Sequence, residues 1–290
     1  MSNWRTWPQV DLEHQYDARA TVPDIAAELK AYREASAPMY ELLPCWRDVS
    51  YGSGPDETLD LFPVADKPHA PLLVFINGGY WRALNSQDSV FMAQQLTSQG
   101  VAVAAINYTL APHAKLSHIV GQCQRALTWL LNEATPHGIA PDRAVLAGSS
   151  AGAHLAAMLL APASQAAGVL LPAPLAGCIL ISGLYDLEPV QRCKPNDWLK
   201  MSVEEAVALS PMNHLPDPRI PLYVAVAESD TDEFKRQSKD YAALCRAQGN
   251  SVSWHEAAQR NHFNIALDWM NPQSHLFQAT MGLMGDTQQR

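Results

Sequence analysis

Cysteine is scarce in this chain, and it follows no metal-binding pattern. Five cysteines occur among 290 residues, at wide spacings and without any C-x-x-C pair. An odd number of widely spaced cysteines is typical of reduced thiols, so we expect a cytoplasmic setting and no zinc cluster. His113, His118 and His137 lack both ligand spacing and a nearby carboxylate cluster. We therefore expect no metal.

Motifs for phosphate-bearing cofactors are missing, and so is any excess of positive charge. The chain has no P-loop and no G-x-G-x-x-G that opens a helix after a strand, so we expect no cofactor. Lysine and arginine number 20 against 29 aspartates and glutamates, which gives a net charge of −9. This balance argues against nucleic acid or an anionic membrane as partner. We expect a small-molecule substrate, and the sequence leaves open whether the chain forms a homodimer.

Charge is entirely absent from one long stretch. No Asp, Glu, Lys or Arg occurs between Arg143 and Asp186, a feature that could be mistaken for a membrane span. Glycines and prolines divide the stretch into pieces shorter than the ~20 residues that a span needs. These residues are Gly148, Gly152, Pro162, Pro172 and Pro174. Strands and a helix of a sheet covered on both faces explain the stretch better. The N-terminus also lacks the apolar segment of a signal peptide.

From Pro71 onward, apolar strands alternate with helices, which is typical of a parallel sheet. The predicted strands are 72–76, 101–106, 144–147, 177–181, 221–227 and 251–256, and the predicted helices are 89–99, 116–134, 153–160, 234–248 and 263–270. Before them, 46–51 and 57–64 predict an antiparallel hairpin around a Gly-Ser-Gly-Pro turn. We therefore predict an α/β protein, a single domain over 1–290 whose mostly parallel sheet has helices on both faces.

Two segments are predicted to cover the sheet rather than extend it. Residues 1–45 contain a helix that begins near Pro23 and ends before Pro38. The aromatic side chains of this N-terminal cover segment are expected to serve as cover or core, and they include Trp4, Trp7 and Tyr16. Residues 186–219, rich in proline and polar residues, contain a short predicted helix at 203–209 and are interpreted as a cap insertion.

The stretch around Ser150 predicts a nucleophile elbow. Residues 148–152 read Gly-Ser-Ser-Ala-Gly and fit G-x-S-x-G, between an apolar strand and an Ala/Leu-rich helix. The pattern alone is weak, because a small-residue turn would also let a helix pack on a strand. In this strand–turn–helix context we predict Ser150 as a catalytic nucleophile, and Ser149 lies in the wrong register.

A serine nucleophile needs a base and an acid that orients the base. In the α/β-hydrolase order the acid and then the histidine follow the serine. The acid candidates are Asp186, Glu228, Asp230 and Asp232, and the histidine candidates are His255, His262 and His275. Asp230 is preferred because it leaves the carboxyl end of a clear strand, where sites in parallel sheets lie. His262 is preferred because it lies in a loop between the last strand and the last helix, whereas His154 is expected to be packed.

Main-chain amides must also face the reacting carbonyl. Ala151, next to the nucleophile, is predicted to supply one N–H, and the loop Asn77-Gly78-Gly79 is predicted to supply others. Gly78, Gly79 and Ala151 are thus the candidate oxyanion hole. Tyr80 and Trp81 are candidates for an aromatic wall around substrate, with core packing as the alternative.

Taken together, these segments resemble the kynurenine formamidase (arylformamidase) group of α/β hydrolases, close to the hormone-sensitive-lipase-like esterases. The matching segments are 78–81, 100–103, 148–157, 182–189, 230–238 and 261–263. The resemblance implies the α/β-hydrolase fold, with Asp230 as the acid and His262 as the base. One departure is Asn77, where the family motif has His before the glycine pair.

The predicted function is hydrolysis of a small acyl group, formyl if the resemblance holds, from an aryl amide of the N-formylkynurenine type. The catalytic residues would be Ser150, His262 and Asp230. A carboxylesterase acting on short acyl esters is the alternative enzyme. A ligand-binding homologue that has lost turnover is the alternative outside enzymes, and the intact Ser, Asp and His set argues against it.

Overall fold

The described part of the chain is built around one eight-stranded sheet. The computed structural model describes residues 4–65, 67–133, 135–160 and 175–285. The strands are β1 (Trp46–Ser50), β2 (Thr58–Phe62), β3 (Ala70–Ile76), β4 (Ala102–Ile106), β5 (Ile139–Ser149), β6 (Gly177–Ile181), β7 (Leu222–Ala227) and β8 (Val252–Ala257). Their order across the sheet is β1-β2-β4-β3-β5-β6-β7-β8. β1 and β2 pair antiparallel to their neighbours, and the other pairs are parallel.

Helices connect the parallel strands. The α-helices are α1 (Gln9–Gln15), α2 (Ile25–Ser36), α3 (Met39–Leu42), α4 (Ala93–Ser98), α5 (Leu116–Glu133), α6 (Ala151–Leu159), α7 (Glu188–Gln191), α8 (Asn196–Leu199), α9 (Val203–Ala208), α10 (Asp232–Gln248) and α11 (His275–Gly285). Short 3₁₀ turns are Trp4–Thr6, Ala18–Thr21, Ser86–Asp88, Thr135–His137, Pro211–Asn213 and Asn264–Met270. None of the helices in these ranges has the length and apolar character that crossing a membrane requires.

The central strands of the sheet are buried on both faces, which explains the long apolar runs in the sequence. In β3, Leu72, Val74 and Ile76 pack into one core cluster, while Leu73 and Phe75 pack into a second one on the opposite face. Side chains alternate between the two faces of a strand, so a strand covered on both sides is apolar at every position. This is why the sequence shows continuous apolar segments here rather than a polar–apolar alternation.

Two predicted helices differ from the observed ones. The helix expected at 89–99 is observed as the shorter α4, which begins at Ala93 and ends at Ser98. The chain before it forms a 3₁₀ turn capped by Asn85, whose side chain accepts from the Asp88 N–H. The helix expected at 263–270 is a 3₁₀ segment, Asn264–Met270, and the side chain of Asn261 accepts from the N–H groups of Phe263 and Asn264. Asparagine side chains that bond nearby backbone compete with regular helix formation.

Other observed elements are longer than predicted or were not predicted. β5 is longer than the predicted 144–147 because its early residues pair with β3, where Ala70 lies opposite Ile139. Helices α1 and α11 were not predicted from the sequence pattern. The predicted helix end at Ala134 and the predicted breaks at Pro162, Pro172 and Pro174 lie outside the described residues.

Candidate active site

A sharp turn joins β5 to α6, and Ser150 is its central residue. Ser150 has φ of 56° and ψ of −119°, a strained conformation for a residue with a side chain. A Cβ on Gly148 would lie 2.2 Å from the Gly152 carbonyl oxygen, and a Cβ on Gly152 would lie 2.0 Å from the Ile76 carbonyl oxygen. Only glycine fits at both flanks, because the obstructing atoms are backbone atoms of the strand and the helix.

Replacing Gly152 with alanine should therefore destabilise the protein. We expect the free energy of unfolding, measured by urea denaturation, to fall by about 2–3 kcal/mol, the usual cost of overpacking. Gly282 in α11 is the matched control, because no heavy atom lies within 4 Å of the position of its added Cβ. Gly282→Ala should stabilise the helix by about 0.5–1 kcal/mol. Equal effects of the two substitutions would contradict this account of the turn.

The structure brings Ser150, His262 and Asp230 into one hydrogen-bonded row. His262 Nε2 lies 2.9 Å from Ser150 Oγ, and His262 Nδ1 lies 2.6 Å from Asp230 Oδ1. All three residues are buried, and Ser150 is the most accessible of them at 7% exposure. The Phe234 ring packs against the imidazole, with 4.5 Å between ring centroids. An imidazole held at both nitrogens in this way is oriented for proton transfer.

Asp230 is held as a carboxylate. Its Oδ2 accepts hydrogen bonds from Ser182 Oγ at 2.5 Å and from the Ala227 N–H at 2.8 Å, so both oxygens have partners. Burial by itself would raise the pKa of this carboxyl, but attraction to His262 and the hydrogen bonds outweigh burial and lower the pKa below its usual value. Ser182 was not among the predicted site residues, although it follows β6 directly.

The other acid candidates have partners elsewhere. Asp186 accepts from the backbone N–H of Glu188, and burial raises its pKa. Glu228 accepts from the Gln259 N–H, and Asp232 is an exposed first residue of α10. None of these carboxylates is bonded to His262 in the described part of the chain.

The remaining histidine candidates also lie away from Ser150. His255 and His275 stack on each other, with ring centroids 4.3 Å apart. His154 is fully buried, bonds the Leu209 carbonyl at 2.8 Å through Nε2, and packs edge-on to Trp81. This is the packed position expected for His154 from its place behind the turn.

The glycine loop after β3 lies directly beside Ser150. A Cβ on Gly78 would lie 2.8 Å from the Ser149 carbonyl oxygen and 3.1 Å from Ser150 Cβ. Gly79 has φ of +95°, which favours glycine. Ala151 is the first residue of α6, where backbone N–H groups have no partner within the helix. The three predicted amide donors thus lie on two backbone segments that meet at the turn.

The two aromatic residues after these glycines have different surroundings. Tyr80 lines the cavity above Ser150, and its hydroxyl donates to the Tyr16 carbonyl at 2.5 Å. Trp81 is fully buried, belongs to the main core cluster and is not among the residues that line the cavity. Of the two proposed wall residues, the structure places Tyr80 at the cavity and Trp81 in the core, where its large apolar surface packs.

The cavity has a volume of about 860 Å³ and opens onto Ser150 and His262. The N-terminal cover segment and the cap insertion both contribute to its lining. Aromatic side chains dominate the apolar part of this lining, namely Tyr16, Tyr32, Phe75, Tyr80, Trp198 and Phe263. Tyr16 and Trp198 were not predicted as site residues, because each reaches the cavity from a segment far from Ser150 in the chain.

No metal centre competes with this interpretation among the residues that the structure describes. There, no group of three or more His, Cys, Asp or Glu side chains is arranged to hold a metal ion.

The sheet, the glycine-flanked turn and the position of Ser150 above the strand ends define an α/β hydrolase. The crystal structure of a proposed thioesterase from Silicibacter sp. TM1040 has the same fold, with a TM-score of 0.83 and 28% identity over 93% of this chain and 99% of that one. Esterase B from Lactobacillus rhamnosis is similar in fold, with a TM-score of 0.73 and 20% identity over 94% and 97% of the two chains.

The chain belongs to the kynurenine formamidase family. It is 32% identical to a kynurenine formamidase from Salmo salar over 98% of this chain and 99% of that protein. It is 31% identical to a kynurenine formamidase from Danio rerio over 91% and 92% of the two chains. The BD-FAE family model matches residues 59–167. The protein is a hydrolase, as its family and its esterase relatives indicate.

Proposed function

We propose that this protein removes the formyl group from aryl formamides of the N-formylkynurenine type, with Ser150 as nucleophile, His262 as general base and Asp230 as the group that orients the imidazole. The contact between His262 Nε2 and Ser150 Oγ, backed by the bond to Asp230, is the observation that carries the proposal. The names of the full-length relatives support the choice of substrate.

The reaction proceeds in two acyl-transfer steps. Ser150 Oγ attacks the formyl carbon while His262 takes the hydroxyl proton, and the N–H groups of Gly78, Gly79 and Ala151 stabilise the oxyanion. The C–N bond then breaks, His262 returns the proton to the leaving arylamine, and a formyl ester remains on Ser150. Water, deprotonated by His262, attacks this ester, and release of formate regenerates the hydroxyl.

The lining of the cavity supports an aryl substrate. The aromatic residues of the cavity, Tyr80 and Trp198 among them, provide faces on which an aryl ring can pack.

The five cysteines are free thiols, four of them buried. Reduced thiols support a cytoplasmic location, which we include in the proposal.

A carboxylesterase that acts on short acyl esters is the second candidate function. The same nucleophile and amide donors would serve an ester, and relatives include Esterase LipQ of Mycobacterium tuberculosis, at 25% identity over 76% of this chain.

Asn77 is the residue at which the chain departs from the family motif, which has His before the glycine pair. Its Nδ2 donates to the Gly78 carbonyl at 3.0 Å, and this hydrogen bond holds the glycine loop.

Side-by-side kinetics distinguish the two functions. We expect kcat/KM for N-formylkynurenine to exceed that for p-nitrophenyl acetate by at least about tenfold, because the amino-acid part of the amide contributes binding energy in the cavity that the smaller ester lacks. The Ser150→Ala variant serves as the blank for both substrates. A higher kcat/KM for the ester, with little hydrolysis of the formamide, would favour the carboxylesterase.

A further inference from the structure

Positive charge is concentrated at the cavity of an otherwise acidic protein. The net charge of the chain is −9. Yet the cavity lining includes the cationic side chains of Arg19, Arg82 and Lys194, which come from three separate segments. In the part of the chain that the structure describes, none of the three takes part in an ion pair. Three cationic side chains against two carboxylates, Glu13 and Asp17, give the lining a positive balance, and cationic head groups outside ion pairs can bind a carboxylate of a ligand.

The acidic side chains of the same lining are already engaged. Glu13 accepts from the Gln9 side chain at 3.1 Å and from the backbone N–H of Lys194 at 2.9 Å. Asp17 accepts from the backbone N–H of Arg19 at 3.1 Å, as the cap of its 3₁₀ turn. These carboxylates therefore stabilise the backbone of the segments that carry the cations, and they form no ion pair with the cationic head groups.

Arg82 is the cation whose position is best defined. Its guanidinium lies over the ring of Trp198, 4.8 Å from the ring centroid. Trp198 in turn donates from Nε1 to the Tyr80 carbonyl at 3.0 Å, and the Arg82 N–H donates to the Gly79 carbonyl at 3.0 Å. The same short loop thus carries the proposed oxyanion glycines and a guanidinium stacked on a fixed aromatic ring.

We infer that Arg82 binds a carboxylate carried by the substrate, so that the enzyme selects aryl formamides that bear a carboxylate over those that lack one. A planar guanidinium presents two parallel N–H donors that match a carboxylate, and stacking on Trp198 reduces the freedom lost on binding. Arg19 and Lys194 add positive potential around the same ligand. The inference rests on the proposed function, since it names the class of formamide that the site accepts.

The test compares two substrates that differ only in whether they bear the carboxylate. N-formylkynurenine carries a carboxylate, and its carboxamide analogue is neutral at that position. We expect wild-type kcat/KM to favour the carboxylate by about tenfold or more, as a charge-assisted hydrogen bond would. Arg82→Gln should bring the ratio of the two kcat/KM values close to one, mainly by raising KM for the carboxylate substrate. Arg82→Lys should give an intermediate ratio, because lysine keeps the positive charge but lacks the two parallel N–H donors of the guanidinium.

Arg47 provides a matched control. Its guanidinium also lies over an aromatic ring, 4.2 Å from the centroid of Tyr40, and it is exposed, but it does not line the cavity. Arg47→Gln removes the same charge and the same kind of stacking, so it should leave the substrate ratio as in wild type. An unchanged ratio in Arg82→Gln, or an equal fall in Arg47→Gln, would overturn the inference.

A measurement of binding affinity distinguishes failure of this inference from failure of the proposed function. Calorimetry on Ser150→Ala, with and without Arg82→Gln, measures the affinity for the two amides without turnover. If wild type hydrolyses neither amide but Ser150→Ala binds the carboxylate about tenfold more tightly only when Arg82 is present, the formamidase proposal fails and the inference stands. If both amides are hydrolysed with equal kcat/KM, or bind equally or not at all, the inference is wrong.

Discussion

Replacing Ser150 with alanine is expected to lower kcat for formamide hydrolysis by about 10⁴-fold or more. The substitution removes the hydroxyl that is hydrogen-bonded to His262 Nε2, while the amide groups of the glycine loop remain. The residual rate would come from those amides and from substrate binding. Steady-state kcat at saturating substrate measures the effect, and a thermal melt confirms that the variant is folded.

Ser149 is the control for this prediction. Ser149 is the residue just before Ser150, and it is also buried and lines the same cavity. It is the last residue of β5, however, and it is not bonded to His262 in the described structure. Ser149→Ala should keep kcat within about tenfold of wild type and should still be labelled by a fluorophosphonate. A folded Ser150→Ala enzyme with near-normal kcat, or one that still reacts with the label, would refute Ser150 as nucleophile.

Asp230→Asn is expected to reduce kcat by about 10⁴-fold with little effect on the fold. The carboxylate accepts three hydrogen bonds, from His262, Ser182 and the Ala227 N–H. An asparagine has one acceptor oxygen, so its amide nitrogen would have to face one of these donors. If it faces His262 Nδ1, the imidazole must carry its proton on Nε2 and can no longer accept the proton of Ser150.

Asp232 provides the comparison, because it lies two residues further on, carries the same charge and is exposed at the start of α10. Asp232→Asn should leave kcat within about twofold of wild type. Loss of activity in Asp232→Asn together with near-normal kcat in Asp230→Asn would reverse the assignment of the acid. Equal melting temperatures of the two variants would show that the kinetic difference is not a folding defect.

Local sequence patterns predicted the parallel part of the fold well. β6 matches its prediction at both ends, β7 begins one residue later than predicted, and β8 is shifted by one residue at both ends. β6 and β7 are buried at every position and bounded by turns, so their apolar runs are clear in the sequence, whereas β8 is a partly exposed edge strand. Short helices such as α1 were missed, because their position depends on contacts with distant residues more than on their own periodicity.

The missed site residues show the same limit. Tyr16 is bonded through its hydroxyl to Glu233, which lies 217 positions away, and Ser182 is bonded to Asp230 across 48 positions. Tyr16 lies outside the matching segments, and Ser182 opens the segment 182–189 without a role assigned to it there. A signal for Ser182 was nevertheless available, because the residue that follows β6 must lie at the same sheet edge as the elbow.

The sequence by itself determined the alternation of strands and helices, the glycine-flanked turn at Ser150, and the order in which serine, acid and histidine occur. These features depend on propensity and spacing over a few residues. Only the tertiary structure decided which carboxylate meets His262 and which aromatic and cationic side chains surround the cavity. The reason is physical: β5, β6, β7 and β8 lie side by side and end at one edge, so residues far apart in the chain converge there.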